Sequence, residues 1–297
     1  MTEWIKTVTL PENQPAITLR EQMQIWRLPK RIQGQLRQQK RIYVNQAYRN
    51  MKTILYAGDV LTMRLLEEDF VTPISSYVSD VRQPIDVLYE NDDLLVVNKC
   101  NGIKTHPNSP LEDGTLMNYV QGYLAERSHE NAYMVHRLDE ATSGAMLVAK
   151  NPMAAVLLNA YLRDKTIKRS YVARVTGHLE EPSGTIRLPI GLDPYHSRLR
   201  MVNGVEAQDA VTHWRLIETD SNSSLVAIEL ETGRTHQIRV HFAAIGHPIV
   251  GDSLYNQQYN GDARLMLHGS EVGFIKPFSQ TEMRVSAPIP GLFWNKG

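Results

Sequence analysis

Cysteine occurs once in the 297 residues, at Cys100, so no intramolecular disulfide can form and a reducing compartment is expected. No apolar run approaches the length needed to cross a bilayer. Met1 to Pro15 holds acids and prolines without an apolar core, which does not read as a signal peptide. A cytoplasmic location is the simplest expectation. A glycine-rich phosphate loop and a dinucleotide fingerprint are both missing, so no cofactor is expected. Histidines are present, but no His-Glu-x-x-His spacing and no cysteine partner accompany them, and no metal is expected either. Internal repeats and low-complexity tracts are absent. Net charge is zero, which at first argues against nucleic acid.

The distribution of charge says otherwise. Between residues 20 and 52 stand Arg20, Arg27, Lys30, Arg31, Arg37, Lys40, Arg41, Arg49 and Lys52 against Glu21 alone. Such a block, with no acidic partners within it, is the footprint of a phosphate-binding surface or, more plainly, a solvated helical face. Arg27, Lys30 and Arg31 are its candidate nucleic-acid contacts. Hydrophobic content of 42% and charged content of 22% fit a soluble globular protein with one large domain and one small one.

The small domain is expected at residues 1–67, with its core at about 17–65. Thr18 suits an N-cap for a helix over Leu19 to Trp26, and Pro29 suits the first turn of a second helix to about Gln39. Strand signals follow at Ile42 to Val44 and from Ile54 to Leu65, broken at Gly58-Asp59. This order resembles the RNA-binding module named after a small-subunit ribosomal protein. In that family the helices present basic residues to RNA phosphates. Residues 68–84 read as a linker.

Residues 85–297 read as a second, strand-dominated domain. Val87 to Tyr89 and Leu94 to Asn98 flank a hairpin signal. Helices are expected after Thr115, from Asn151-Pro152 to about Asp164, and from near Arg234 to Gly246. Ala145 to Ala149, Ser170 to Val175, Thr185 to Pro189, Ala210 to Ile217, Ser224 to Leu230 and Arg284 to Ala287 read as strands. The fold class is α+β, around a large, mostly antiparallel mixed sheet.

Three segments carry the chemistry. They are His136-Arg-Leu-Asp139-Glu-Ala-Thr-Ser-Gly144, Lys168-Arg-Ser-Tyr171-Val-Ala173, and Thr232-Gly-Arg-Thr-His-Gln-Ile-Arg239-Val-His241 continuing to Asp252. In this order they resemble the pseudouridine synthases of the ribosomal large-subunit type, the RluA-like family. Asn98-Lys99 with Gly102 and His106-Pro107, Gln208 to His213, and Leu265 to His268 resemble further segments of it. The family normally has proline where Cys100 stands. The resemblance implies an isomerase that turns uridine into pseudouridine in structured RNA. Large-subunit ribosomal RNA is the expected partner and transfer RNA the next.

The resemblance also implies roles. Asp139 is the catalytic carboxylate, Arg239 its cationic partner and Tyr171 the aromatic that stacks on uracil. Arg137 fills the place left by the flipped nucleotide, and Leu267 packs on the base. A carboxylate in a dry site favours its protonated form, and a paired arginine reverses this. The chemistry needs an ionised carboxylate as nucleophile or base.

Each residue alone has a plainer reading. Asp139 before Thr-Ser-Gly suits a turn, Tyr171 a half-buried strand aromatic, and Arg239 a surface helix charge. Thr232-Gly233 suits either a phosphate site or a simple cap. His136 and His236 suit backbone hydrogen bonds that hold their loops, and Cys100 a packed small residue. Two rival functions stay open. A non-catalytic RNA-binding or ribosome-assembly protein has no need of all three of Asp139, Tyr171 and Arg239. A glycoside hydrolase usually needs two facing carboxylates, whereas adjacent Glu140 points away on an extended segment.

Overall fold

Two continuous apolar runs, Leu94 to Val97 and Ala145 to Ala149, set the architecture. A strand covered on both faces reads this way, whereas one-sided burial gives alternation. In the computed structural model, which describes residues 2–71, 75–127, 130–261, 263–279 and 281–294, these runs pair antiparallel, with Ala149 opposite Leu94. Their side chains alternate between two cores. Leu94, Val96, Ala145 and Leu147 join one, and Leu95, Val97, Met146 and Val148 the other.

The N-terminal part contains β1 (Glu3–Thr9), β2 (Ile17–Thr18), α1 (Leu19–Ile25), α2 (Lys30–Gln38), β3 (Ile42–Val44), β4 (Ala47–Tyr48), β5 (Ile54–Leu55) and β6 (Val60–Leu66). A four-stranded sheet runs β1-β6-β3-β4. Thr18 caps α1 in a reciprocal box: its hydroxyl accepts from Glu21 N–H, and the Glu21 carboxylate accepts from Thr18 N–H. Strand β1 is not announced by the pattern along the chain. Its burial is carried mainly by Trp4, which meets Phe70 edge-on.

The remainder contains β7 (Val87–Glu90), β8 (Leu94–Lys99), α3 (Leu116–Leu124), β9 (Tyr133–Met134), β10 (Ser143–Ala149), α4 (Pro152–Arg163), β11 (Lys168–Thr176), β12 (Ser183–Arg187), β13 (Ile190–Leu192), β14 (Arg200–Val202), β15 (Val205–Gln208), β16 (Val211–Thr219), β17 (Ser223–Leu230), α5 (Gln237–Ala244), β18 (Leu267–Ile275) and β19 (Glu282–Ser286). The large sheet runs β12-β16-β17-β11-β18-β10-β8-β7, with β19 on β18 and β9 on β10. Only β10 and β18 pair in parallel among the described residues, at Ser143–His268 and Gly144–Gly269. Gly144 has φ 122°, and a Cβ there would lie 2.2 Å from the Gly269 carbonyl oxygen. This backbone approach therefore requires glycine. The helix expected from Arg234 starts three residues later, because Arg234 to His236 form the turn that leads into α5.

The α4 face of the sheet carries the N-terminal part. Trp26 is fully buried, donates from Nε1 to the Phe278 carbonyl at 3.0 Å and meets the Phe278 ring edge-on. Lys6 reaches Asp93 at 2.6 Å. The basic block does have acidic partners, contrary to the expectation from local sequence. Arg41 is buried on both oxygens of Asp69, and Arg27 pairs with Asp164. Those partners lie 28 and 137 residues away, out of reach of a window read along the chain. The stretch read as a linker is also tied down where it is described. Asp80 accepts from the Arg82 side chain and from Gly114 N–H, and Asn118 donates to the Val78 carbonyl.

Candidate active site

Asp139 stands in an irregular loop between β9 and β10, held from several sides. Thr105 Oγ1 donates to the Leu138 carbonyl at 2.6 Å. Lys99, buried behind the loop, donates its ammonium to the carbonyls of Cys100, Glu140 and Thr142 at 2.9, 3.0 and 2.8 Å. Burial pushes the Lys99 pKa down to about 8, against the pull of the Asp139 charge. His136 Nε2 accepts from Leu147 N–H at 3.0 Å, the backbone bond expected of it. Burial, helped by the Arg169 charge, pushes His136 down to about 3, so at neutral pH it is an uncharged acceptor. These bonds fix the backbone on both sides of Asp139.

Arg239, on the first turn of α5, is buried rather than exposed. Its shortest bonds go to Asp252, not Asp139. Nε and one terminal nitrogen grip the two Asp252 oxygens at 2.8 and 2.7 Å, and the other terminal nitrogen lies 3.5 Å from Asp139. Asp252 has a fully buried side chain and also accepts from Leu254 N–H and Tyr255 N–H. Burial works against the Arg239 charge, but Asp252 and Asp139 outweigh it and raise the guanidinium pKa. The arginine is thus a fixed cation aimed at Asp139 by a second carboxylate.

His236 completes this side. It adopts a left-handed backbone (φ 58°), its Nε2 lies 3.9 Å from Asp139, and its Nδ1 lies 2.8 Å from the Tyr255 hydroxyl. That hydroxyl also accepts from Arg200 N–H at 3.0 Å. Burial lowers the His236 pKa, opposed by Asp139. The Arg239 guanidinium lies 5.2 Å from the Tyr255 ring centre.

One pocket collects these groups. Arg137, Asp139, Tyr171, Arg239 and Leu267 all line it, together with Arg169, Arg234 and His236. Tyr171 is buried, and burial raises its hydroxyl pKa. Arg27, Lys30 and Arg31 are not in the pocket. They belong to the N-terminal part, where Arg27 pairs with Asp164, Arg31 donates to the Glu68 carbonyl at 2.8 Å, and Lys30 is exposed. Cys100 is exposed rather than packed, because its backbone carbonyl, not its side chain, is what the fold uses. Thr232 behaves as a local brace: its hydroxyl accepts from Val211 N–H and donates to Gln237.

Sequence reasoning missed Asp252, Lys99, Tyr255 and the orientation of His236 toward Asp139. Asp252 had a signal, since it closes the third segment and a buried arginine needs an acid. Tyr255 had none along the chain. Histidine, cysteine and acidic side chains form no metal-holding group among the described residues.

The chain is similar to known proteins along most of its length. The family pattern described as RNA pseudouridylate synthase matches residues 93–244, and that of the RluD ribosomal pseudouridine synthase N-terminal domain matches residues 6–61. The chain is 39% identical over 241 residues to the uncharacterized RNA pseudouridine synthase YhcT of Bacillus subtilis, covering 80% of this chain and 78% of that protein. It is 33% identical over 297 residues to the ribosomal large subunit pseudouridine synthase D of Nitrosomonas europaea, covering 95% and 84%. The structure of human RNA pseudouridylate synthase domain containing 1 aligns with a TM-score of 0.60 at 28% identity, over 71% of this chain and 85% of that one.

Proposed function

The chain belongs to the RNA pseudouridylate synthase family, and on that premise we propose that it isomerises specific uridines in structured RNA, with large-subunit ribosomal RNA the favoured target. As a pseudouridine synthase it is an isomerase. The target follows the relatives named for that subunit, and transfer RNA is the second candidate. The reaction breaks the glycosidic bond at N1, turns the uracil and rejoins it to the sugar through carbon 5. The carbon 5 proton leaves and N1 gains one, so composition is unchanged and no cofactor is consumed.

Asp139 supplies the carboxylate, as nucleophile at the sugar or base or as a base at the sugar. Arg239, held by Asp252, fixes positive charge beside it. Tyr171 stacks on the uracil, a contact worth roughly 1–3 kcal/mol per base, and Leu267 closes the other side. The uridine leaves its stack to reach the pocket, and exposed Arg137 fills the gap. Residues 1–67 form an RNA-holding module with Lys30 as its freest candidate contact. Residues 68–84 connect it to the catalytic domain at 85–297. The protein acts in the cytoplasm as a monomer. No helix of the described residues is long and apolar enough to cross a membrane.

The observation that carries this reading is the 3.5 Å approach of buried, Asp252-anchored Arg239 to Asp139 in a pocket shared with Tyr171. The test uses ribosomal RNA tritiated at carbon 5 of uridine. Wild type is expected to release tritium and Asp139→Asn none above background. Release by neither protein removes the activity, and equal release by both removes the role of Asp139.

A further inference from the structure

A second, open groove adjoins the pocket and shares Arg169, Leu230, Gly233 and Arg234 with it. Its walls come from the end of α4, the start of β11, the end of β17 and β19. They carry Arg163, Lys165, Lys168, Arg169, Arg234 and Arg284 against Glu229 and Glu231. Glu231 is engaged by His213 at 2.7 Å, and Arg284 by Glu271 at 3.0 Å. Arg163, Lys165 and Lys168 are exposed and have no ion pair among the described residues.

Two features give this patch a direction. At its inner end the Arg169 guanidinium lies so close to Gly233 that a Cβ there would sit 2.8 Å from it. Arg169 therefore places its cation on the wall between groove and pocket, against Gly233. At its outer end Asp164, flanked by Arg163 and Lys165, pairs with Arg27 of the N-terminal part. The groove thus leads from the reacting carboxylate to the basic block around Arg27 and Lys30.

We propose that this groove is the path of the RNA backbone on one side of the flipped uridine. Arg169 takes the phosphate nearest the pocket, and Arg163, Lys165 and Lys168 take those leading away toward the N-terminal module. Arg27 is then a tether that aligns the two basic surfaces through Asp164. The proposal rests on the RNA substrate proposed above, and its test is separable from that of the activity.

The probe is large-subunit ribosomal RNA transcribed in vitro, with binding measured from 0.05 to 0.5 M salt. Each lost phosphate contact on a single strand lowers the slope of log affinity against log salt by about 0.7. Arg163→Gln/Lys165→Gln/Lys168→Gln should therefore reduce the slope by about 2 and weaken binding about 50-fold at 0.15 M salt. The charge-keeping set Arg163→Lys/Lys165→Arg/Lys168→Arg should restore both, and an unchanged thermal midpoint shows that the fold is intact. Affinity and slope equal to wild type in the neutral variant overturn the groove, as does failure of the charge-keeping set to restore them. Tritium release by wild type is scored apart, so an inactive protein with a charge-dependent groove defeats the activity and not the path.

Discussion

Replacing Asp252 with asparagine tests the claim that Arg239 is a prepositioned cation. The side chain of Asp252 is fully buried and holds Arg239 at 2.8 and 2.7 Å. Asparagine keeps the size and one acceptor oxygen but removes the charge, and its amide turns a donor toward a donor. Breaking a buried ion pair from one side costs about 3–5 kcal/mol, because the remaining charge stays desolvated. Asp139 at 3.5 Å offers partial compensation, so the lower end applies. At about 2–4 °C per kcal/mol for a domain of this size, the melting temperature should fall by roughly 10 °C. The freed arginine should close on Asp139 and misdirect it. Misplacement of about 1 Å at a reacting group costs about a hundredfold in rate. Single-turnover tritium release at saturating RNA should drop by that order, with RNA affinity within about threefold of wild type. A variant with wild-type melting and wild-type release would refute the anchoring argument.

Two further outcomes follow from packing and protonation. Trp26→Ala removes a fully buried ring and its bond to the Phe278 carbonyl, which should cost about 3–5 kcal/mol and speed proteolysis between residues 70 and 85; unchanged cleavage would show that Trp26 does not dock the N-terminal part. His136 is pushed down to about 3 and His268 to about 4, both chiefly by burial, so each is neutral when folded at pH 5 and protonated when unfolded. Their stabilising share is complete above the unfolded pKa of about 6.5 and is lost as pH falls toward the folded values, by about 2 kcal/mol per histidine between pH 7 and 5. Urea unfolding of His136→Gln should show a pH profile flatter by that amount, and profiles parallel to wild type would sink the reasoning.

Local sequence carried the elements whose signals are local. The Thr18 box, the Asn151-Pro152 start of α4 and the Thr115 cap of α3 each depend on groups only three residues apart, and the α+β class with a large mixed sheet follows from the apolar runs that β8 and β10 bury. Strands β1, β13, β14 and β15 were not legible. Strand β1 buries little beyond Trp4, and β15 is exposed throughout, so neither leaves an apolar alternation to read. The three quoted segments meet in one pocket, yet the bonds that order it run between residues whose spacing follows no short-range rule. Asp252 reaches back 13 residues to Arg239, and Tyr255 reaches back 19 to His236.

The same distinction governs the basic block. Its sign could be read from composition, but its use could not. Arg41 is spent on Asp69, at the start of the connecting segment, and Arg27 on Asp164 of the catalytic part. A charge that is already paired offers an RNA phosphate less than a free one, because binding must first break the existing pair. The exposed cations at the end of α4 and the start of β11 carry no such cost, although they form no run of one sign in the sequence: Asp164 interrupts Arg163 and Lys165, and Thr166-Ile167 separates these from Lys168. Phosphate affinity should therefore depend more on the neutralisation of Arg163, Lys165 and Lys168 than on the loss of Arg27. The fold, rather than the density of lysine and arginine along the chain, decides which charges remain available.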